Sequence, residues 1–470
     1  YARDVGGPAL RAMTFAQRGA LLKRMSAALH ENREALIDVS IQNAGATRGD
    51  AKFDIDGGIG TLAFYARLGE TLGERTFLVE GAGENLTRSP RFAGYHVKLP
   101  RTGAAVHVNA FNFPVWGLAE KAACALLAGM PVITKPATST ALVAWRAMQI
   151  LVDKADMPKG VLQFVAGSLG DLLEGLLPED VIAFTGSADT GAKLRGLAAV
   201  VERSVRINIE ADSLNAAVLG PDVEPGSEPW HLFVRHVTTE MTQKTGQKCT
   251  ATRRLFVPRA RADEVQAALI EKLAAVRVGN PKEEGVDMGP LATKQQHNDA
   301  KLGLQKLHGD GAKTVHGGDV PSGAGYFLQP TLLRHDAAMK ASAVHAHEVF
   351  GPVSTLMPYD SAAEAAKLVA RGEGSLVASI YSDDKAFIED MIKHCAPWSG
   401  RLVIGSTKVA DTATTPGMVL PPSIHGGPGR AGGGEELGGE RGLAFYSQRT
   451  AIQGDRALLD RILGAPKSEP

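Results

Sequence analysis

AAVHVNAFNFPVWGLAEKAACALLAGMPVITKPA, residues 104–137, decides the fold. It opens on a short apolar run, AAVHVNAF (104–111), continues through the helix-forming stretch WGLAEKAACALLAG (116–129), and closes on a second apolar run, PVITKPA. Gly129 is a natural stop for the helix, because a residue without Cβ takes the left-handed conformation of a C-terminal cap without strain. A short apolar strand, a helix and another short apolar strand make a βαβ unit, which predicts a parallel sheet with helices on its faces. The alternation continues downstream. STALVAWRAMQILVDKAD reads as a helix, and VLQFVAG, LGDLLEGLL, DVIAFTGS, ADTGAKLRGLAAV and VRINIEA read as strand, helix, strand, helix and strand. Strands are expected to begin near 104, 131, 161, 180 and 205. Sheets of this kind bind ligands at the carboxyl ends of their strands.

Outward from this core, residues 8–75 read as helical, with apolar residues three and four apart in FAQRGALLKRMSAALHENREALIDVS (15–40). Residues 76–103 read as a hairpin, TFLVEG and GYHVKLP flanking a turn-rich stretch. After about residue 217 a second series begins. Residues 229–247 look helical; RRLFVP, PVSTLMPY, LVASIYS and GRLVIGS look like strands; helices are expected near 261–275, 361–371 and 384–395. A second α/β domain follows from this. The tail HGGPGRAGGGEELGGERG (425–442) is glycine-rich yet charged, and reads as ordered loops lining something.

At 470 residues the chain exceeds what one core usually supports, so two or three domains are expected. Apolar residues are 44% and charged residues 22%, as in an ordinary globular protein. The 51 basic and 51 acidic residues cancel, which gives no support for nucleic acid or an anionic membrane as partner. No apolar run reaches the roughly 18 residues of a membrane span, and no signal-like segment opens the sequence, so a cytoplasmic protein is expected. Cys124, Cys249 and Cys395 lie far apart with no CxxC, so neither a disulfide framework nor a cysteine zinc site is expected.

Cysteine is most often a small buried hydrophobe, which suits Cys124 in an apolar helix stripe and Cys395 at a helix end. It suits Cys249 poorly. TQKTGQKCTATRR (242–254) surrounds that thiol with small, polar and cationic residues, and neighbouring Lys or Arg favours thiolate. A nucleophilic thiol needs a base. None of the 13 histidines stands in a recognisable cysteine-hydrolase context, which leaves carboxylates. Glu210 ends the strand VRINIE, and Asn112 follows a strand directly; taken singly, a capping carboxylate and a turn residue are the ordinary readings of both.

Together with other segments they make a pattern. NAFNFP (109–114), ITKPAT (133–138), FTGS (184–187), IEADSLN (209–215), GQKC (246–249), YFLQPTLL (326–333) and EVFGPV (348–353) resemble, in order and spacing, the motifs of the aldehyde dehydrogenase superfamily. NAFNFPVWG, EADSLN and the HGGPGRAGGGEELGG tail resemble most closely the members that act on CoA-linked semialdehydes of the 3,4-dehydroadipyl-CoA type in aerobic breakdown of aromatic compounds such as benzoate. The resemblance implies a Rossmann-type cofactor domain (1–75 and 104–216), an α/β catalytic domain (217–424), and a small β oligomerisation arm with the C-terminal segment (76–103 and 425–455). The arm would expose strand edges on a lone chain, which favours a dimer or a larger assembly such as a tetramer, and a homodimer is expected.

The resemblance makes Cys249 the nucleophile, Asn112 an oxyanion donor and Glu210 the base that activates water. Lys135, Thr185, Gly186 and Ser187 would meet the cofactor, Glu348 its nicotinamide ribose, and Phe350 would pack near the nicotinamide. NAD-preferring relatives usually carry Glu after Lys-Pro-Ala, whereas this chain has Thr138, which a 2′-phosphate tolerates; NADP is expected over NAD. Glu120 and Lys121 would lie near the substrate tunnel, a helix-surface carboxylate being the plain alternative for Glu120. The His-x-His pair of VHAHEVF (344–350) lacks a clear third ligand, and no metal is expected. Two other functions fit parts of the pattern: a general aldehyde dehydrogenase for free aliphatic aldehydes, and a cysteine thioesterase or hydrolase built on Cys249 and Glu210.

Overall fold

Two mixed α/β layers and a small antiparallel sheet make up the computed structural model, which describes residues 1–319 and 325–464. The first layer is a five-stranded parallel sheet in the order Leu162–Phe164, Val132–Lys135, Ala105–Val108, Val181–Thr185 and Arg206–Glu210. The alternation read in the sequence is therefore present strand for strand. The order reverses around Ala105–Val108, so crossovers leave on both faces and a crevice opens beyond the strands' carboxyl ends. Helix Trp116–Ala128 is buried along its whole length, Glu120 and Lys121 included. Helices Phe15–Glu31, Arg33–Ala44 and Arg48–Leu72 pack with it into one continuous core.

The second layer is a seven-stranded sheet in the order Lys313–His316, Thr331–Arg334, Val353–Tyr359, Arg254–Pro258, Ala216–Leu219, Ser375–Tyr381 and Ser399–Gly405. Only the edge pair formed by the first two strands is antiparallel. Strands Leu78–Asn85, Phe92–Pro100 and Ser447–Asp455 form the antiparallel sheet, so the expected hairpin is completed by a strand from the far end of the chain.

Two local expectations need correction. LGDLLEGLL (169–177) is not a helix but a succession of turns, with Leu172 N–H donating to Leu169 O at 3.0 Å and Glu174 N–H to Asp171 O at 2.9 Å. Gly170 takes φ +53°, and so short a segment cannot recover the cost of helix nucleation. Conversely, the polar stretch Lys294–Gly309 forms a helix, capped by Thr293, whose Oγ1 accepts from Gln296 N–H at 3.1 Å. Among the described residues, no helix is long and apolar enough to cross a membrane.

Candidate active site

Cys249 is placed by a strained turn. Helix Glu228–Thr242 ends, and Lys244, Thr245 and Gly246 follow with φ +55°, +56° and +64°. The left-handed conformation costs a non-glycine residue roughly 1–2 kcal/mol. Here it is held by Asp50, whose Oδ1 accepts from Lys244 N–H at 2.8 Å, and by Thr245 Oγ1, which donates to Gly289 O at 3.1 Å. Position 246 must be glycine: a Cβ there would stand 2.3 Å from Gly351 O. Beyond the turn, Asn215 Nδ2 donates to Cys249 O at 2.8 Å and to Ala251 O at 2.9 Å. The segment IEADSLN thus supplies both Glu210 and the amide that fixes the cysteine loop.

Glu210 and Thr185 end adjacent parallel strands and are register partners. Thr185 Oγ1 donates to Glu210 Oε2 at 3.4 Å. The glycine-rich tail closes over this strand end as a hairpin of Ile424–Gly426 and Glu435–Leu437. Its glycines make the close approach possible: a Cβ on Gly432 would lie 2.2 Å from Ile209 O. Ala211 N–H donates to Ala431 O at 3.0 Å, and Glu435 N–H to Asn208 Oδ1 at 3.0 Å. The backbone that Gly432 and Gly434 approach is the protein's own strand end.

The hairpin delivers two buried side chains. His425 Nε2 lies 3.1 Å from Glu210 Oε1 and 3.9 Å from Cys249 Sγ. Glu436 Oε2 lies 3.1 Å from Lys121 Nζ, which is also 3.2 Å from Glu120 Oε1. Burial alone would push Glu210 up, but His425, Lys121 and the Cys249 thiol outweigh it and hold the carboxyl below its usual range. Burial pushes the Cys249 thiol well up, and the Glu210 carboxylate adds to it. Burial lowers His425, yet Glu210 overcomes it and the imidazole is raised. Glu436 is raised by burial, with Lys121 opposing and Glu120 and Glu210 adding.

Two cavities meet at the thiol. One is lined by Asn112, Trp116, Glu120, Lys121 and His425, the other by Lys135, Gly186, Ser187, Glu348 and Phe350; Asn112, Thr185, Glu210 and Cys249 line both. The second is a cleft of about 580 Å³. Asn112 Nδ2 donates one hydrogen to Gln247 O at 3.0 Å, leaving its second for the cavity. Ser187 caps helix Ala188–Arg195 and carries the chain off the strand end. Lys135 is lowered by burial and makes no ion pair among the described residues. Glu348 is held by Arg253 Nε at 3.1 Å and by Ser213 N–H at 2.9 Å, and Phe350 packs edge-on against Phe111. Thr138 lies one residue beyond Ala137, exposed, and does not line the cleft.

The aldehyde dehydrogenase family model matches residues 2–452. This chain belongs to the aldehyde dehydrogenase family. It is 46% identical over 435 residues to the 3,4-dehydroadipyl-CoA semialdehyde dehydrogenase of Aromatoleum evansii, covering 91% of this chain and 84% of that one. It is 27% identical over 442 residues to the 2,5-dioxopentanoate dehydrogenase of Saccharolobus solfataricus, covering 93% and 87%. Its fold matches a crystal structure of betaine aldehyde dehydrogenase from Staphylococcus aureus in complex with NAD+, with a TM-score of 0.81 over 97% of this chain and 87% of that one, at 23% identity.

In this aldehyde dehydrogenase two details differ from the local sequence reading. Lys248 is not a cation for the thiol: its Nζ is 2.8 Å from Glu240 Oε2, both side chains fully buried, and it also donates to Gln243 Oε1 at 2.9 Å. A histidine does stand beside the cysteine. The only sign of His425 in the sequence was its place at the head of a charged glycine-rich segment. Lys306 and His347, which line the cleft from the second α/β layer, were likewise not singled out as cofactor contacts. His345, the other member of the His-x-His pair, is spent on Arg254 Nη1 at 3.1 Å and Ala338 O at 3.0 Å.

Proposed function

We propose that this aldehyde dehydrogenase oxidises a CoA-linked semialdehyde of the 3,4-dehydroadipyl-CoA type to the carboxylic acid with NADP, in the breakdown of aromatic compounds such as benzoate. The single observation that carries the chemistry is that Asn112, Glu210 and Cys249 line both the cleft and the adjoining pocket. An aldehyde entering from the pocket side meets the thiol with the cleft directly behind it.

Cys249 sulfur attacks the aldehyde carbon, and the free N–H of Asn112 donates to the oxygen as it gains charge; such preorganised donors act without reorganisation at the moment of reaction. A nicotinamide cofactor held by the cleft residues would supply the hydride acceptor, and loss of that hydride from the thiohemiacetal would leave a thioester on Cys249. Glu210, kept anionic, then takes a proton from water, and the hydroxide displaces the thiolate to release the acid. Relatives that release an acyl-CoA typically lack this carboxylate, so Glu210 favours hydrolysis.

The cleft suits a dinucleotide. Lys135 is a half-buried ammonium without an anionic partner among the described residues, and the backbone of Thr185, Gly186 and Ser187 leads into a helix N-terminus. Glu348 and Phe350 line the same cleft and would hold the nicotinamide ribose and pack near the ring. Thr138 supports NADP, since a hydroxyl accommodates the 2′-phosphate that a carboxylate would repel, and leaves Lys135 free to pair with it. The CoA-linked substrate is supported by the 46% identity to the Aromatoleum evansii enzyme. Residues 1–75 and 104–216 form the cofactor domain and 217–424 the catalytic domain, with 76–103 and 425–455 as arm and C-terminal segment. Exposed Leu86, Phe92 and Leu99 on the arm sheet favour a homodimer, and a cytoplasmic location fits the free thiols.

The test is the absorbance of reduced nicotinamide with NADP or NAD, using a CoA-tethered C6 semialdehyde and the same aldehyde without CoA. Rapid NADP reduction confined to the tethered substrate is expected. Equal turnover of the free aldehyde would remove the CoA assignment, and a preference for NAD would remove the NADP assignment.

A further inference from the structure

Cys249 has a problem that Glu210 alone does not solve. The thiol is held high by burial and by the Glu210 carboxylate beside it, and Glu210 is already assigned the later proton from water. Lys248, the nearest cation in sequence, is neutralised by Glu240. The group that remains is His425, whose Nε2 is 3.9 Å from Cys249 Sγ and 3.1 Å from Glu210 Oε1. Its side chain is 3% exposed and that of Glu210 is 2% exposed. Among the described residues, His425 Nδ1 and Glu210 Oε1 are buried without a well-aligned hydrogen-bond partner, which leaves the pair capacity to spare.

We propose that His425 is the proton acceptor for the Cys249 thiol, with Glu210 as the carboxylate that holds the resulting imidazolium. This rests on the reading of Cys249 as the nucleophile. In the step, the S–H bond breaks, an Nε2–H bond forms and the electron pair stays on sulfur; nothing is oxidised or reduced. Nδ1 must carry the hydrogen of the neutral ring, so that Nε2 presents its lone pair to sulfur. The product is thiolate, imidazolium and carboxylate, with the cation between two anions that would otherwise repel one another. The remaining charged groups that face His425 are Glu120 from helix Trp116–Ala128, Arg401 from strand Ser399–Gly405 and Glu436 from the hairpin's other strand. Glu120 reinforces Glu210 in favouring the imidazolium, and Arg401 opposes it. A sulfur–nitrogen separation of 3.9 Å is long, as catalytic contacts commonly are before substrate binds.

The test reads the thiol itself, not turnover. The full chain, without cofactor or substrate, is alkylated with iodoacetamide across pH, and modification of Cys249 is followed by peptide mass spectrometry; Cys124 and Cys395 are buried. The parent is expected to show a thiolate inflection lower than that of a thiol held up by burial and Glu210 alone. His425→Gln and His425→Asn are each expected to move it up by about one pH unit or more and to slow alkylation at pH 7 about tenfold. Both variants should still bind NADP, read by quenching of tryptophan fluorescence. An unchanged profile in the variants overturns the proposal, and so does a parent thiol that shows no inflection up to about pH 10, which needs no variant to fold. Failure of the parent to reduce NADP would overturn the functional reading and leave this profile to decide the role of His425.

Discussion

Lys121 Nζ lies 3.1 Å from Glu436 Oε2, and the lysine side chain is 1% exposed. Burial opposes its charge, but Glu436, Glu120 and Glu210 together raise the ammonium above its usual range. The lysine is the cation that lets carboxylates from a helix, a strand and the tail hairpin share one interior. Lys121→Met is therefore expected to leave those carboxylates uncompensated and to destabilise the fold by about 3–5 kcal/mol. Denaturant midpoints of parent and variant check this, and equal midpoints would contradict it.

Asn112 commits one amide hydrogen to Gln247 O and keeps the other beside Cys249. On the proposed mechanism, replacement by Ala removes the donor to charge developing at the aldehyde oxygen. The expected result is a fall in kcat of about 10²–10³, with little change in cofactor affinity. A loss confined to KM would place Asn112 in substrate binding instead.

Thr138 sits exposed one residue past the cleft wall. Thr138→Glu would put a carboxylate where a 2′-phosphate is expected. kcat/KM for NADP should fall about tenfold or more while that for NAD holds or rises. An unchanged NADP:NAD ratio would mean that this position does not select the cofactor.

The His425–Glu210 pair should leave a mark on stability against pH. The folded imidazole is raised above its unfolded value, so its contribution is full below about pH 6.5 and is lost as pH rises through the folded value. Glu210 is lowered, so its contribution is present above about pH 4.3 and is lost as pH falls toward the folded value. The stability gap between parent and His425→Gln is expected to be largest between these limits and to shrink on the alkaline side. Unfolding free energies measured from pH 5 to 9 test it; a gap that widens with pH would contradict the assignment.

The parallel sheet was legible because its strands are short apolar runs bounded by Gly and Pro, a pattern set by local burial on both faces. That Glu210 and Asn112 lie beside Cys249 was legible only through the motifs NAFNFP and IEADSLN, because a strand-end position alone reads as a cap or a turn. His425 was not, because its partner Cys249 is 176 positions away and the residues around it are glycines with no periodicity. Lys248 misled for the opposite reason: it adjoins the cysteine in sequence, but its side chain turns to Glu240. Helix Lys294–Gly309 was missed because it buries only His297, Ala300, Gly303, Leu304 and Leu307 along a largely polar sequence. LGDLLEGLL had the apolar content of a helix, but not the length or the glycine-free interior.

The central claim is that Cys249 carries the acyl group and Glu210 is needed to release it. Glu210→Gln, mixed with NADP and the CoA-tethered semialdehyde, is the most direct test, read by nicotinamide absorbance and by the mass of the Cys249 peptide after acid quench. A burst of about one equivalent of reduced cofactor followed by a stall, with an acyl adduct on Cys249, is the predicted result. Steady turnover at the parent's rate with no adduct would contradict it.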